Sequence, residues 1–149
     1  MELKFAIAGL DAGLKDLYRA PRQGDAGLDI LCSKDTVVDP YGVTLVETNL
    51  ILEIPPGFVG IIHDRSSMAY RGLHVLGGVI DSSYRGAIGV MLHNIMPTRA
   101  ILQYGSKVAQ IIFTPYEEVT ILESCKVEEM TKSVRGNRGF GSTDEKLRY

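Results

Sequence analysis

The 149-residue sequence has no tryptophan, only two cysteines and almost no net charge. Cys32 and Cys125 have neither CxxC spacing nor the pattern of a disulfide framework, so we expect the reduced thiols of a cytosolic protein. Sixteen Lys and Arg against 18 Asp and Glu give a net charge of −2, without the basic excess of a general nucleic-acid or membrane-surface binder. No apolar run approaches the roughly 18 residues of a transmembrane span, and we expect neither a signal peptide nor a membrane partner.

Common catalytic and metal-binding motifs are also missing. His63, His74 and His93 do not have the spacing of metal ligands, and the cysteines are far apart in the sequence. There is no P-loop, no GxSxG nucleophile motif and no GxGxxG after a strand. These absences argue against common classes of zinc site, nucleotide-binding loop and serine hydrolase.

Apolar residues are plentiful, at 45% of the chain, which excludes disorder of the whole chain and predicts one domain with a real core. The mean hydropathy of +0.06 is high for a small soluble monomer, which has a large surface to keep in water. An oligomer with a buried interface between subunits would account for this surplus.

Short apolar runs broken by Gly, Pro, Asp and Asn predict an all-β sandwich or barrel. The predicted strands cover residues 36–38, 43–54, 58–62, 87–92, 100–103, 108–113 and 119–122. We predict one brief helix over residues 66–71, with Ser66 as its N-cap, while residues 11–18 form at most a turn or two of helix. The domain is expected to span residues 1–132, followed by a mobile, glycine-rich tail over residues 133–149.

Two segments carry groups suited to a charged ligand. In residues 26–30, small residues precede Asp29 on an apolar strand and would place one carboxylate beside a site. In residues 64–67, Arg65 and two hydroxyls stand at the predicted helix start, a combination that can hold phosphate oxygens. Each segment alone also has an ordinary explanation, as a turn cap or as an exposed N-cap with a surface arginine.

The most informative segment covers residues 77–86. Its glycines predict a tight hairpin whose backbone can close around a small planar ligand. Asp81 would lie at the tip, and the ring of Tyr84 is available for stacking. An ordinary turn with a half-buried tyrosine explains the segment equally well when it is considered alone.

Two further segments complete the set. In residues 105–110 a glycine turn could present Ser106 or Gln110 to a ligand, although such a glutamine more often satisfies a strand edge. Residues 135–143 combine arginines, glycines and hydroxyls with a single aromatic residue, Phe140, which could stack on a base. The plain alternative for this last segment is a disordered tail.

Taken in order from Ala26 to Thr143, the five segments resemble the five motifs of the trimeric dUTP pyrophosphatase (dUTPase) family. The resemblance implies a jelly-roll-like β barrel of the β-clip type, with one short helix and a flexible C-terminal arm. It implies a homotrimer whose active sites are shared between subunits. It also implies Mg²⁺-dependent hydrolysis of dUTP to dUMP and pyrophosphate, which limits uracil incorporation into DNA and supplies dUMP for dTMP synthesis. The expected location is the cytoplasm, or the host cell cytoplasm or nucleus if the protein is viral.

The same resemblance implies a role for individual residues. Asp29 would hold Mg²⁺ through water, Asp81 would orient and deprotonate the attacking water, and Gln110 would assist with phosphate or that water. The remaining substrate-binding residues are Arg65, Ser66, Ser67 and Lys107 from the second and fourth motifs, Gly78, Val79, Ile80 and Tyr84 from the hairpin, and Arg135, Phe140, Gly141, Ser142 and Thr143 from the tail. Within this set Tyr84 would pack under the deoxyribose and Phe140 would stack on uracil.

The sequence departs from the usual family pattern at three positions. Asp64 stands where a small residue or proline is common, and we expect it to pair with Arg65 and lower the effective charge there. Arg138 and Asp144 replace residues of the tail motif that are often small or glycine.

Two alternatives stay open beside the hydrolase. One is a dCTP deaminase, which shares the fold but needs a glutamate as its acid and base; the hairpin over residues 80–86 favours the dUTPase. The other is a regulatory module that binds dUTP and a protein partner, with hydrolysis secondary.

Overall fold

The computed structural model describes residues 2–120 and 126–134. Eleven strands and two short α-helices lie in these described residues. The strands are Lys4–Ile7 (β1), Leu28–Leu31 (β2), Thr36–Val38 (β3), Val43–Glu47 (β4), Leu50–Glu53 (β5), Phe58–His63 (β6), Leu73–Leu76 (β7), Val79–Ile80 (β8), Gly89–Asn94 (β9), Ala100–Leu102 (β10) and Lys107–Pro115 (β11). The helices are Ala12–Leu17 (α1) and Ser66–Tyr70 (α2), and short 3-10 turns occupy Ala8–Leu10 and Val127–Glu129.

The strands pair in antiparallel fashion within four sheets. A four-stranded sheet has the order β2-β11-β6-β8 and a three-stranded sheet the order β4-β9-β7, while β1 pairs with β5 and β10 with β3. The expected all-β class is confirmed. Within the described residues these sheets are separate in their hydrogen bonding and do not close into one continuous barrel.

Two of the predicted strands differ from the strands in the structure. The single run predicted over residues 43–54 is divided into β4 and β5, because Asn49 adopts a positive φ of 54° and Thr48 turns inward. The buried Thr48 hydroxyl donates to the Ile88 carbonyl at 2.5 Å and accepts from the Leu50 amide at 3.1 Å, which stabilises this break. The strand predicted over residues 119–122 is not formed at residues 119 and 120, and its other two residues lie outside the described part.

The core lies between the sheets and is built from alternate residues of the strands. Ile30, Leu50, Leu92 and Ile111 are fully buried, and each comes from a different strand. This packing fixes the strands that carry the polar residues of the site, because interiors are packed as densely as organic crystals.

Both helical segments considered in the sequence are formed, and the N-cap predicted for the second one is wrong. Helix α1 forms because the Asp11 side chain accepts the Leu14 amide at 2.9 Å and Leu14 is fully buried. In α2 the N-cap is Arg65 and not Ser66, since Ser66 is already the first helical residue and no side-chain cap bond is made. The Arg65 carbonyl accepts the amides of Met68 and Ala69 at 2.9 Å.

The chain separates into a compact unit over residues 1–118 and a second unit over residues 119–149. The boundary expected between residues 132 and 133 stays a prediction. No helix among the described residues has the length and apolar character needed to cross a membrane.

Candidate active site

Three residues that are far apart in sequence form one row across the four-stranded sheet. Gln110 on β11 pairs with Asp29 on one side and with His63, the last residue of β6, on the other. Residues directly opposite each other in antiparallel strands point to the same face. The register therefore places Gln110 beside Asp29, and the chain that leaves β6 carries Arg65 to the same edge.

A bulge in β11 adds a cation to this row. The pairing with β2 shifts between Lys107 and Ala109, and the neighbouring residues Val108 and Ala109 are both fully buried. In a regular strand Lys107 and Gln110, three residues apart, would point to opposite faces. The extra residue of the bulge re-aims Lys107, so that its ammonium group reaches Asp29.

Asp29 holds two cations at once. Its Oδ1 accepts from Arg65 Nε at 2.8 Å, and its Oδ2 lies 2.7 Å from Lys107 Nζ. We call Asp29, Arg65 and Lys107 the cation cluster. The Asp29 and Arg65 side chains are 34% and 29% exposed, so the cation cluster is half-buried and accessible to a ligand. Two cations beside one carboxylate leave a positive excess that suits a polyanion.

The cluster opens into a cavity of about 390 Å³. Its lining comprises Arg22, Asp25, Ala26, Gly27, Asp29, Arg65, Ser66, Lys107 and Gln110. The structure thus brings together the predicted residues of the first, second and fourth motifs. Ser67 lies beside them, and its Oγ is 3.4 Å from Arg65 Nη1.

Asp64 does not pair with Arg65, and that expectation was wrong. Its Oδ2 lies 2.8 Å from His74 Nδ1, and its Oδ1 accepts the Val75 amide at 2.6 Å. The Asp64 carbonyl accepts from Gln110 Nε2 at 2.9 Å. Arg65 instead turns to Asp29, because the Asp64 carboxylate is already occupied by β7.

The tight hairpin predicted over residues 77–86 is not formed as a pair of strands, because β8 pairs with β6 whereas its neighbours along the chain, β7 and β9, pair with each other in the other sheet. The glycine turn that precedes β8 is present, and we keep the name hairpin for residues 77–86. Gly78 has φ of 104°, and a Cβ there would lie 2.9 Å from the Ile62 carbonyl oxygen, so any other residue would be strained. Asp81 is exposed at the turn that follows β8, where its carbonyl accepts the Tyr84 amide at 3.1 Å. The Tyr84 hydroxyl donates to the Ala87 carbonyl at 3.0 Å, and its ring covers Gly86 so closely that a Cβ there would clash.

Within one chain, this hairpin lies far from the cation cluster. Ile80 pairs with Gly60, three residues along β6 from His63, which corresponds to about 10 Å along the strand. Strand β8 is also three positions from β2 in the sheet, or about 14 Å across it. Asp81 lines a different cavity, with Val59, Val79, Ser82 and Tyr116. A single chain therefore does not bring Asp81 together with Asp29 and Arg65.

Burial perturbs two groups next to the site. Burial raises the pKa of Tyr18 to about 12, although the hydrogen bond from the Leu31 amide at 3.3 Å acts in the opposite direction. Burial likewise raises the pKa of the Cys32 thiol, which donates to the Gln103 carbonyl at 2.7 Å. Both groups are therefore neutral near pH 7 and do not supply a base.

Sequence reasoning missed several residues of this site. Arg22 and Asp25 line the cavity and form a tight turn, in which Asp25 Oδ2 accepts the Arg22 amide at 3.1 Å. Their position just before the first motif was the available signal. His74 was set aside as an isolated histidine, since nothing in its neighbourhood revealed a contact with Asp64. The predicted tail residues Arg135, Phe140, Gly141, Ser142 and Thr143, together with Arg138 and Asp144, lie outside the described residues.

Among the described residues, no group of three or more His, Cys, Asp or Glu side chains could hold a metal ion. Asp25 and Asp29 supply carboxylate oxygens in the cavity, and such oxygens suit Mg²⁺. These residues fit an ion that is held mainly by a ligand's phosphates and only assisted by the protein.

Comparison with known proteins places these features in a family. The family model described as dUTPase matches residues 15–144, and therefore includes the tail. The deoxyuridine 5'-triphosphate nucleotidohydrolase of Fowlpox virus (strain NVSL) is 43% identical over 119 residues, covering 79% of this chain and 82% of the viral protein. The enzyme of the same name from Corynebacterium glutamicum is 38% identical over 141 residues, covering 92% of each chain.

Solved structures agree on the fold. The dUTPase of Staphylococcus bacteriophage 80alpha, described with dUPNHPP, superposes with a TM-score of 0.76 at 24% identity, covering 97% of this chain and 99% of that chain. A mutant dUTPase from phage phi11 of S. aureus, described with a structural Mg(II) ion, gives a TM-score of 0.71 at 21% identity and covers 86% and 99%. The extent of the family match and the identity to the viral and bacterial enzymes establish that this chain belongs to the dUTPase family.

Proposed function

We propose that the protein hydrolyses dUTP to dUMP and pyrophosphate in a Mg²⁺-dependent reaction. The enzyme class, dUTP diphosphatase, follows from membership of the dUTPase family and from the names of its relatives. One observation of the structure supports it above the others: Arg65 and Lys107 converge on Asp29 in an open cavity that also contains Ser66 and Gln110. Such a cluster is suited to a triphosphate, whose charge several cations must share.

In this proposal the cation cluster binds the triphosphate. Arg65 offers a planar fork and Lys107 a compact ammonium group, and both meet phosphate oxygens at the edge of the cavity. Ser66 adds a hydroxyl, and Gln110 a side-chain amide fixed by the Asp64 carbonyl. Stabilising the charge on the phosphate oxygens is the main contribution that a protein makes to phosphoryl transfer.

Asp29 and Asp25 would assist in holding Mg²⁺, with Asp29 acting through water. When bound with the substrate, the ion supplies positive charge against the triphosphate and orients it. The phage phi11 enzyme is described with a structural Mg(II) ion, which is a precedent for Mg²⁺ in this fold.

The hairpin would supply the nucleoside site and the general base. Backbone groups of residues 78–80 would receive uracil, and a tight backbone wall would exclude the 5-methyl group of thymine, which binding energy alone discriminates weakly. Tyr84 would pack under the deoxyribose and leave no room for a 2'-hydroxyl. Asp81 would orient the attacking water and accept its proton; because an ordinary carboxylate is a weak base, its main contribution would be positioning.

The proposed assembly is a homotrimer with shared active sites, and the separation of these two halves within one chain supports it. Asp81 and the cation cluster lie about 10 Å apart along the strands and about 14 Å apart across them, so one subunit would supply the hairpin and its neighbour the cations. The outer face of the three-stranded sheet also carries a row of apolar side chains, Leu45, Met91 and Leu76, which are 61%, 43% and 39% exposed. An exposed apolar row of this kind is typical of a surface that another subunit covers.

The tail residues Arg135, Phe140, Gly141, Ser142 and Thr143 are proposed to close over the substrate. Physiologically, the reaction would limit uracil incorporation into DNA and supply dUMP for dTMP synthesis. We place it in the cytoplasm, or in the host cell cytoplasm or nucleus if the protein is viral. The buried free thiol of Cys32 accords with such a reducing compartment.

The decisive experiment measures pyrophosphate release from dUTP, dCTP, dTTP and UTP by the purified protein, with and without Mg²⁺. We expect release from dUTP only, and only with the metal. Ammonia release from dCTP would instead identify a deaminase, and tight dUTP binding without turnover would identify a nucleotide-sensing module. Light scattering tests the trimer separately, because a stable monomer would contradict the shared site.

A further inference from the structure

The loop between β6 and α2 is fixed by one residue that has no part in the proposed chemistry. Asp64 follows His63, the end of β6, and directly precedes Arg65, the N-cap of α2. All three of its oxygen atoms accept hydrogen bonds: Oδ1 from the Val75 amide, Oδ2 from the His74 ring and the carbonyl from Gln110.

The side-chain bonds of Asp64 connect two different sheets. Asp64 continues from the four-stranded sheet, whereas His74 and Val75 lie on β7 at the edge of the three-stranded sheet. Strand β7 has β9 as a neighbour on one side only, so an amide on its open edge needs another acceptor. The Asp64 carboxylate supplies it at 2.6 Å and fixes the distance between the loop and β7.

The same anchor determines the geometry of the two groups proposed to contact phosphate. Gln110 donates to the carbonyl of Asp64, so the orientation of its amide depends on where that carbonyl lies. Arg65 is the next residue, so the backbone position of Asp64 also affects where its guanidinium, 2.8 Å from Asp29, lies. The Asp64 side chain is 28% exposed, so its bonds are partly shielded from competing water.

We propose that Asp64 is a positioning residue for triphosphate binding, acting through hydrogen bonds that anchor the Arg65 loop to β7. This inference rests on the proposed function. In this role Asp64 favours triphosphate binding, whereas an unpaired negative charge beside the cation cluster would weaken it. Both carboxylate oxygens accept hydrogen bonds from β7, and the ion pair of Arg65 is with Asp29 instead.

The test compares Asp64→Ala with Asp64→Asn in steady-state hydrolysis of dUTP, after wild-type pyrophosphate release has been established. Alanine removes both side-chain bonds, and misplacement of a binding group by about 1 Å can cost as much as 100-fold, so we expect KM to rise about tenfold or more. Asparagine can still accept the Val75 amide and donate to a neutral His74 ring nitrogen, so KM should stay within about threefold of wild type. Asp39→Ala is the matched control, since it breaks an exposed pair with Arg99 away from the site and should leave KM unchanged.

The split between KM and kcat separates positioning from general stability. A loss of folded protein lowers the apparent kcat and leaves KM unchanged, whereas a displaced phosphate loop raises KM. Thermal unfolding by circular dichroism accompanies each assay. If Asp64→Ala does not fold, His74→Ala removes one of the two side-chain bonds and should raise KM about threefold.

Several results would overturn this role for Asp64. A wild-type KM in Asp64→Ala, or in His74→Ala where that variant replaces it, would leave Asp64 with a purely structural role. An equal loss in the alanine and asparagine variants, or a lowered KM in both, would show that the charge matters and the hydrogen bonds do not. Absence of pyrophosphate release in the wild-type protein would instead refute the proposed function.

Discussion

Replacement of Asp29 by asparagine should have opposite effects on anion binding and on turnover. In the structure its carboxylate holds Arg65 at 2.8 Å and Lys107 at 2.7 Å, so a phosphate must compete with it for both cations. Asparagine removes that negative charge while keeping the size of the side chain. Both cations then become available to an anionic ligand.

The magnitude follows from Coulomb's law. A phosphate charge about 5 Å from the carboxylate would be repelled by about 0.8 kcal/mol in water and by about 3 kcal/mol at an effective dielectric constant of about 20. Because the Arg65 and Asp29 side chains are 29% and 34% exposed, we take a repulsion energy nearer the value in water. About 1 kcal/mol corresponds to about fivefold tighter binding of metal-free pyrophosphate.

Calorimetric titration of pyrophosphate in the presence of EDTA measures this effect. If the proposed function holds, the same variant should lose at least about tenfold in dUTP hydrolysis with Mg²⁺, because the carboxylate proposed to orient the metal is gone. Asp39→Asn, which alters an exposed pair with Arg99, provides the control and should change neither quantity. Unchanged or weaker metal-free binding by Asp29→Asn would refute the competition between carboxylate and phosphate, and unchanged turnover would remove Asp29 from the metal site.

Four further predictions follow from the hairpin, the tail and the buried tyrosine. Asp81→Asn should reduce turnover by at least about 100-fold and leave dUTP binding within about threefold, because the proposed general base is lost while the size of the side chain is kept; an active variant would remove Asp81 from that role. Gly78→Ala should lower the free energy of unfolding by about 2–3 kcal/mol, against about 1 kcal/mol for Gly57→Ala, since both have positive φ but only Gly78 also faces a backbone oxygen, at 2.9 Å. Urea unfolding measures this difference, and equal losses would show that the contact is relieved. Removal of residues 133–149 should leave a folded oligomer with severely reduced activity, as judged by light scattering and pyrophosphate release; an unfolded product would mean that the tail is structural. Tyr18 has its folded pKa raised to about 12 from 10.0, so its stabilising effect is complete below pH 10 and is lost as the pH rises towards 12. In urea unfolding between pH 9 and 12, Tyr18→Phe should therefore show a smaller fall in the free energy of unfolding than the wild-type protein.

The sequence alone was sufficient for the fold class and for the family. Short apolar runs with Gly, Pro, Asp and Asn between them predict strands because the length of a run and the turn chemistry are local properties. The glycine turn at Gly78 was recognisable for the same reason, since a positive φ favours glycine, whereas the pairing of the strands around it was not. The order of the five motifs required no coordinates either.

Tertiary structure alone decided which of those residues meet. The bulge that turns Lys107 towards Asp29 depends on pairing between strands more than 70 residues apart in sequence, which no local pattern encodes. The partner of Asp64 was wrongly predicted because Arg65 is adjacent in sequence, whereas the open edge of β7 is adjacent in space and offers a better-placed donor. The separation of Asp81 from the cation cluster is likewise a consequence of strand order, β2-β11-β6-β8, and it places Asp81 beside a different cavity of the same chain. Sequence thus determined which chemical groups are available, and the pairing of distant strands determined how they are combined.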